Sequence, residues 1–304
     1  NYHAYVKLSE GCNQSCSFCA IPSFKGKLHS RTLESLVKEV TNLVKKGYKD
    51  FSFVSQDSSS YLRDLGHNDG LEQLIDAVEK IDGVKTARIL YLYPSTTTLN
   101  LIDKIADSKV FVNYFDMPLQ HISQNMLKIM KRGKGAEKLI ELMNYMRSKP
   151  NSFVRTTFIA GHPGESEEDF EELCSFVEEF GFDRGNVFSY SDEEGTSAET
   201  RDDKIEQELI DERAEILGDI ISQTTIKSLE NDIGKNFEVY IDGESEEHEY
   251  LLSARKTIWA PQIDGEIYIN DNEGNLPIVF GEIYEVEATE LAGDKLLAKI
   301  IRKV

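Results

Sequence analysis

The chain has 304 residues, 54 of them acidic and 34 basic, for a formal charge of −20. That length supports about two domains and a core that needs no disulfide staple, and 40% hydrophobic with 10% aromatic residues excludes a disordered or collagen-like chain. No apolar run approaches the roughly 18 residues that span a bilayer, and so large an acidic excess disfavours a nucleic-acid partner, whose phosphates demand Lys and Arg.

The opening residues, Asn1 to Val6, read as a strand rather than as a signal peptide. A start at Asn rather than Met reads as a trimmed N-terminus. From there strand-like and helix-like segments alternate. Tyr5–Leu8 reads as a strand leading into a loop that carries cysteines. Thr32 to Lys46 has Leu36, Val37, Val40, Leu43 and Val44 at helical spacing, and Gly47 supplies the stop. Phe51–Val54 is a strand, Asp69 to Ile81 a helix, Arg88–Leu92 a strand and Leu99 to Ala106 a helix. Tyr114–Met117 is a strand, Gly135 to Met146 lies in a helix, and Phe153–Ile159, Asp169–Phe180 and Asn186–Tyr190 complete strand, helix, strand. Six strands with intervening helices imply parallel pairing through right-handed crossovers, an open partial (β/α) barrel of six units with its chemistry on loops leaving the C-terminal strand ends.

Asp202 to Ile233 reads as one long helix ended by Gly234. The period then drops to two over Phe237–Ile241, Glu266–Ile269, Tyr284–Glu287 and Leu296–Ile301, which suggests a small antiparallel β-barrel. The expected division is a domain over 1–233 and a second over 234–304.

Three of the four cysteines fall within eight residues: Cys12, Cys16 and Cys19, spaced C-x-x-x-C-x-x-C. Clustered thiols in such a chain point to metal rather than to disulfides. Cys174 shares helical spacing with Phe170, Leu173 and Val177 and reads as core, and His29 is the other candidate fourth ligand. Without a fourth ligand a structural zinc is poorly served. Three thiolates on a four-iron cubane leave one iron open to chelate an incoming amino-carboxylate, and such clusters reach very low potentials. A non-catalytic zinc module with a recognition barrel is the alternative of a different class.

The loop resembles the radical S-adenosylmethionine (SAM) motif C-x-x-x-C-x-Φ-C, with Phe18 as the aromatic. The resemblance implies that Cys12, Cys16 and Cys19 bind a [4Fe-4S] cluster whose fourth site SAM closes, and that one-electron reduction yields methionine and a hydrogen-abstracting 5′-deoxyadenosyl radical. It further places Ser55, Gln56 and Asp57 near the SAM amino group and Asp116 and Gln120 at its ribose or methionine end. The segment Phe158–Glu165, with Gly161 and Glu165, then supports the adenine, and Phe188 and Tyr190 stand as candidates to line the adenosyl pocket.

The runs Ser9–Cys16, Ala20–Ser23, Ser30–Arg31, Met117–His121 and Met130–Arg132 are similar to the methylthiotransferases, which end in a five-stranded TRAM barrel. Ser55–Ser59 and Ala260–Gly265 resemble the branch that methylthiolates the β-carbon of an aspartate in small-subunit ribosomal protein twelve. The other branch modifies an adenine in tRNA. Charge separates the two independently: residues 235–304 hold 15 acidic and 7 basic residues, a net of 7 − 15 = −8. An RNA-binding barrel is expected to show a basic face, whereas an acidic one suits a basic ribosomal protein. Asp242, Glu244, Glu246, Glu247 and Glu249 form the candidate contact loop, and Trp259 reads either as barrel core or as an exposed anchor. The resemblance implies a second [4Fe-4S] cluster in an N-terminal domain beyond this chain, without which methylthiolation is expected not to complete. It also implies an external electron donor and a cytoplasmic location.

Overall fold

The structure, a computed structural model, describes residues 2–133 and 135–304. The first half runs β1 (His3–Lys7), β2 (Ser9–Glu10), α1 (Ile21–Lys25), β3 (His29–Ser30), α2 (Leu33–Val44) and β4 (Asp50–Val54). Then come α3 (Gly70–Val78), β5 (Thr86–Ile89), α4 (Leu99–Ala106), β6 (Phe111–Asp116), α5 (Gln124–Ile129) and α6 (Ala136–Arg147). β7 (Phe153–Ala160), α7 (Glu167–Phe180), β8 (Arg184–Ser189) and the long α8 (Gln207–Glu230) follow. Five strands close the chain: β9 (Asn236–Glu244), β10 (Leu252–Lys256), β11 (Ile267–Asn272), β12 (Ile283–Ala292) and β13 (Lys295–Lys303).

The six expected strands form one open parallel sheet in the order β1-β4-β5-β6-β7-β8. Serial order with helical crossovers curls it into a half-barrel. Strand alternation sorts its two faces. Phe51, Phe53, Ala87, Ile89, Val154 and Phe158 turn outward into the helices and are buried in the main core. The opposite face is polar: Ser52 pairs in register with Arg88, and Asp116 with Arg155 and Arg155 with Arg184. α7 starts in a capping box, Ser166 with Asp169, and its first turn is acidic as the dipole favours.

The last five strands close into a barrel, order β10-β11-β13-β12-β9. Four of its pairings are antiparallel, but β11 and β13 run parallel because β12 intervenes between them in the chain. β10 went unread in the sequence because Arg255 and Lys256 break its apolar pattern: Ala254 faces the barrel core, while Arg255, 2% exposed, is buried on the opposite face at the seam with the half-barrel.

That seam is a shared core. Leu90, Tyr114 and Phe153 of the half-barrel pack with Trp259, Val239, Ile267 and their barrel neighbours. Trp259 is therefore core, 1% exposed, and not a surface anchor. Residues 257–266, between β10 and β11, plug the polar interior of the half-barrel from below. Arg88 donates to the carbonyls of Thr257 (2.9 Å) and Ile258 (3.2 Å), and Tyr5 to that of Pro261 (2.6 Å). No helix among the described residues is long and apolar enough to cross a membrane.

Candidate active site

The cysteine loop leaves the C-terminal end of β1 and is strapped to three neighbours. Cys12 N–H donates to the Gly26 carbonyl (3.1 Å), Ser17 N–H to that of Met130 (3.0 Å), and Ala198 N–H to that of Ser17 (2.9 Å). Gly11 makes the tight entry. Its φ is +73°, and a Cβ there would lie 2.3 Å from the Lys27 carbonyl oxygen and 2.6 Å from that of Gly26. Since both obstacles are backbone, Gly11→Ala is expected to cost about 1–3 kcal/mol and to loosen the loop. Denaturant unfolding and retained iron after anaerobic reconstitution would both fall.

Above the plug, at the C-terminal strand ends, lies a cavity of about 750 Å³ lined by Cys12, Cys16 and Cys19 together. Hydrogen-bond donors face the sulfurs: the Gln14 amide on Cys12 Sγ (3.4 Å) and Arg132 Nη1 on Cys16 Sγ (3.4 Å), with the Tyr93 hydroxyl 3.7 Å from Cys16 Sγ. Burial pushes the Cys12 thiol up to about 11 and raises Cys19 as well, so a metal must displace their protons to bind. Three thiols on one wall, with an amide and a guanidinium aimed at sulfur, form a donor set suited to an anionic iron–sulfur cluster. Among the described residues no group of three His, Cys, Asp or Glu side chains is already gathered as around a single bound ion. Cys174 packs on the main core, and His29 lies exposed on β3.

Phe18, Ser55, Gln56, Gln120 and Tyr190, all expected from the sequence, line the same cavity. Gln56 Oε1 and Gln120 Oε1 are buried acceptors without a protein partner among the described residues. Such orphaned acceptors fit the ammonium and hydroxyl donors of SAM. Gln120 is held at φ +72° by its N–H to the Thr157 carbonyl (2.8 Å) and by the Ile159 N–H to its own carbonyl (3.0 Å). Only a few per cent of residues other than glycine adopt that region.

Four expected residues stand behind the lining instead. Asp57 accepts from Gln14 Nε2 (2.8 Å) and caps a turn through Ser60. Asp116, fully buried, accepts from Arg155 Nη1 (3.0 Å) and from the Tyr91 amide (3.1 Å). Burial raises its pKa while Arg155 opposes the rise. Glu165 accepts from the Gly161 amide (2.8 Å) and from Arg213 Nη1 (3.0 Å) of α8. A Cβ on Gly161 would meet Ile210 at 2.5 Å, so that glycine serves helix packing. Sequence reasoning assigned no site role to Lys7, Arg132 or Asn186, which the structure brings into the lining. The legible signal was strand alternation: Tyr5 and Lys7, like Arg155 and Thr157, lie two apart on the interior face.

Arg155 joins the plug to this cavity. Arg155 lines the cavity, pairs with Asp116, and sets its Nε 3.4 Å from Asp264 of the plug. Burial pushes Asp264 up to about 6, against the pull of Arg155. Asp264 is tied to its own loop by the Ala260 amide (2.7 Å).

A six-stranded parallel half-barrel with three thiols at its C-terminal mouth, followed by a five-stranded barrel, defines a radical SAM protein with a TRAM domain. Residues 6–177 match the radical SAM superfamily and residues 233–301 the TRAM domain. The chain is 80% identical over 304 residues to the ribosomal protein uS12 methylthiotransferase RimO of Aliarcobacter butzleri, covering 99% of this chain and 68% of that relative. It is 62% identical over 303 residues to the same enzyme of Sulfurovum sp., covering all of this chain and 69% of the relative. The chain belongs to the ribosomal protein uS12 methylthiotransferase RimO family. Among solved structures, coproporphyrinogen III oxidase (HemN) from Escherichia coli shares the fold. Its TM-score is 0.56 at 17% identity, over 72% of this chain and 52% of that one.

Proposed function

We propose that this chain is the radical SAM and TRAM portion of a methylthiotransferase that modifies uS12 at the β-carbon of an aspartate. The observation that carries this is the near full-length identity to uS12 methylthiotransferases in a chain whose three clustered thiols line one cavity. Cys12, Cys16 and Cys19 would hold the [4Fe-4S] cluster, and Gln56, Gln120, Ser55, Phe18 and Tyr190 would surround SAM. When bound, that pair supplies the hydrogen-abstracting radical chemistry of the family.

The chain's own residues do the rest. Arg132 and the Gln14 amide aim hydrogen-bond donors at the sulfurs, as an anionic cluster requires of its surroundings. Gln56 and Gln120 present acceptors that orient a cationic ligand, and Asp57, Asp116 and Glu165 brace the lining from behind. The plug of residues 257–266 keeps water out of the cavity from below.

The division falls at 233/234 in this reading, between α8 and β9. A second [4Fe-4S] cluster belongs to an N-terminal domain outside this chain, and an external one-electron donor serves the first. The acidic face of the TRAM barrel receives the basic uS12, and the enzyme works in the cytoplasm. Of the acidic contact loop, Asp242 is taken up by Tyr2 and Glu247 by Tyr268 and Lys295. Glu244, Glu246 and Glu249 are exposed for docking.

The test needs no sulfur insertion. The protein is reconstituted anaerobically and incubated with SAM, a one-electron reductant and uS12 deuterated at its aspartates. Deuterium should appear in the 5′-deoxyadenosine released. Transfer from deuterated tRNA instead, with none from uS12, would replace this reading with the tRNA branch.

A further inference from the structure

We propose that Lys7 grips the carboxylate of the substrate side chain and so selects an aspartate over its amide; this rests on the reading of the chain as a uS12 methylthiotransferase. Among the described residues three cations line the cavity: Lys7, Arg132 and Arg155. Two of them are committed. Arg132 donates to Cys16 Sγ and to the Pro118 carbonyl, and its guanidinium lies 4.3 Å over the Tyr93 ring. Arg155 sits between Asp116 and Asp264, whose side chains are both fully buried. A third carboxylate brought to Arg155 would meet two like charges at low dielectric and be repelled.

Lys7 is free of that constraint. It ends β1 on the interior face, just before the cysteine loop, and its side chain is 57% exposed. Its partner is Glu10, 2.5 Å away and itself partly exposed. Glu10 has a second cation, Lys25, at 2.8 Å. When Lys7 swings from Glu10 to a ligand in the cavity, Glu10 therefore keeps a counter-ion. Exchanging one exposed carboxylate for another costs little, because exposed pairs contribute little in the first place. The incoming carboxylate would lie inside the cavity mouth, where water is partly excluded and attraction to the ammonium is stronger than at the surface.

The position also suits the chemistry proposed above. The carbon to be modified is bonded directly to the carboxyl carbon of the aspartate. An anchor at the end of β1 thus fixes that carbon relative to the thiols on the loop that follows. A lysine supplies a compact charge on a flexible stem, able to move between Glu10 and the substrate.

The proposal is tested by binding, with the protein carrying its cluster and SAM and without reductant. Purified uS12 and a uS12 variant with its target aspartate changed to Asn are titrated against wild type, Lys7→Gln and Lys7→Arg. Iron content of the variants checks that the loop has formed. Wild type should prefer the Asp form by about tenfold, the scale of one charge-assisted hydrogen bond. Lys7→Gln should lose that preference while its affinity for the Asn form holds, and Lys7→Arg should keep part of it. A Lys7→Gln protein that retains the full preference, or a wild type that shows none, overturns the proposal. A wild type that binds uS12 no better than an unrelated basic protein would instead overturn the substrate reading itself.

Discussion

Replacing Asp50 with Ala is expected to cost about 3–5 kcal/mol of folding stability, the scale found when one partner of a buried ion pair is removed. Asp50 begins β4 and its side chain is fully buried. One carboxylate oxygen accepts from Arg88 Nη2 (2.7 Å) and Thr86 Oγ1 (2.5 Å), the other from Arg255 Nη2 of the C-terminal barrel (2.6 Å). Side-chain exposure is 0% for Arg88 and 2% for Arg255, so Ala at position 50 leaves Arg88 buried without its carboxylate and Arg255 with Asp242, 3.5 Å from its Nε. Denaturant unfolding measures the loss; a midpoint shift no larger than that of an exposed Asp→Ala control would show that the pair is dispensable. The sign of the pH effect follows from the same geometry. Burial alone would raise the Asp50 pKa, but Arg88 and Arg255 outweigh it and hold the carboxyl below its ordinary range. The stability it contributes is therefore complete above the unfolded carboxylate value and is lost only as acidification passes through the lower folded value.

Changing Cys12, Cys16 and Cys19 to Ala, singly or together, is expected to abolish iron binding and SAM cleavage. Cys174→Ala should leave about four irons per chain after anaerobic reconstitution, the content of one cubane cluster. The contrast rests on position. The first three thiols share a cavity wall with donors aimed at sulfur, while Cys174 lies on α7 against the main core. Zinc in place of iron, or iron that survives the triple substitution, would refute the cluster assignment.

Much of this was legible because it is periodic. The apolar spacing of Leu99 to Ala106 marks α4 to the residue, and the six parallel strands follow from serial strand–helix units. The cysteine loop was legible through its spacing alone. What escaped lies where long-range pairing overrides local pattern. β10 carries Arg255 and Lys256, a poor strand signal until Asp50, more than two hundred residues away, accepts from Arg255. The plug reads as a family-like run, Ala260–Gly265, beside one Trp, with no sign that it packs under the half-barrel. The family resemblance alone suggests Asp116 and Glu165. The structure shows their oxygens accepting from Arg155 and Arg213, partners that sequence spacing does not reveal.

The position of the plug in the chain has a consequence for biosynthesis. Translation delivers all six strands of the half-barrel before residues 257–266 leave the ribosome. Until then Arg88, Arg155 and the apolar faces of Tyr114 and Phe153 have only solvent beneath them. The half-barrel therefore finishes its interior only once the segment between β10 and β11 has been made, and a chain terminated before it carries an open base.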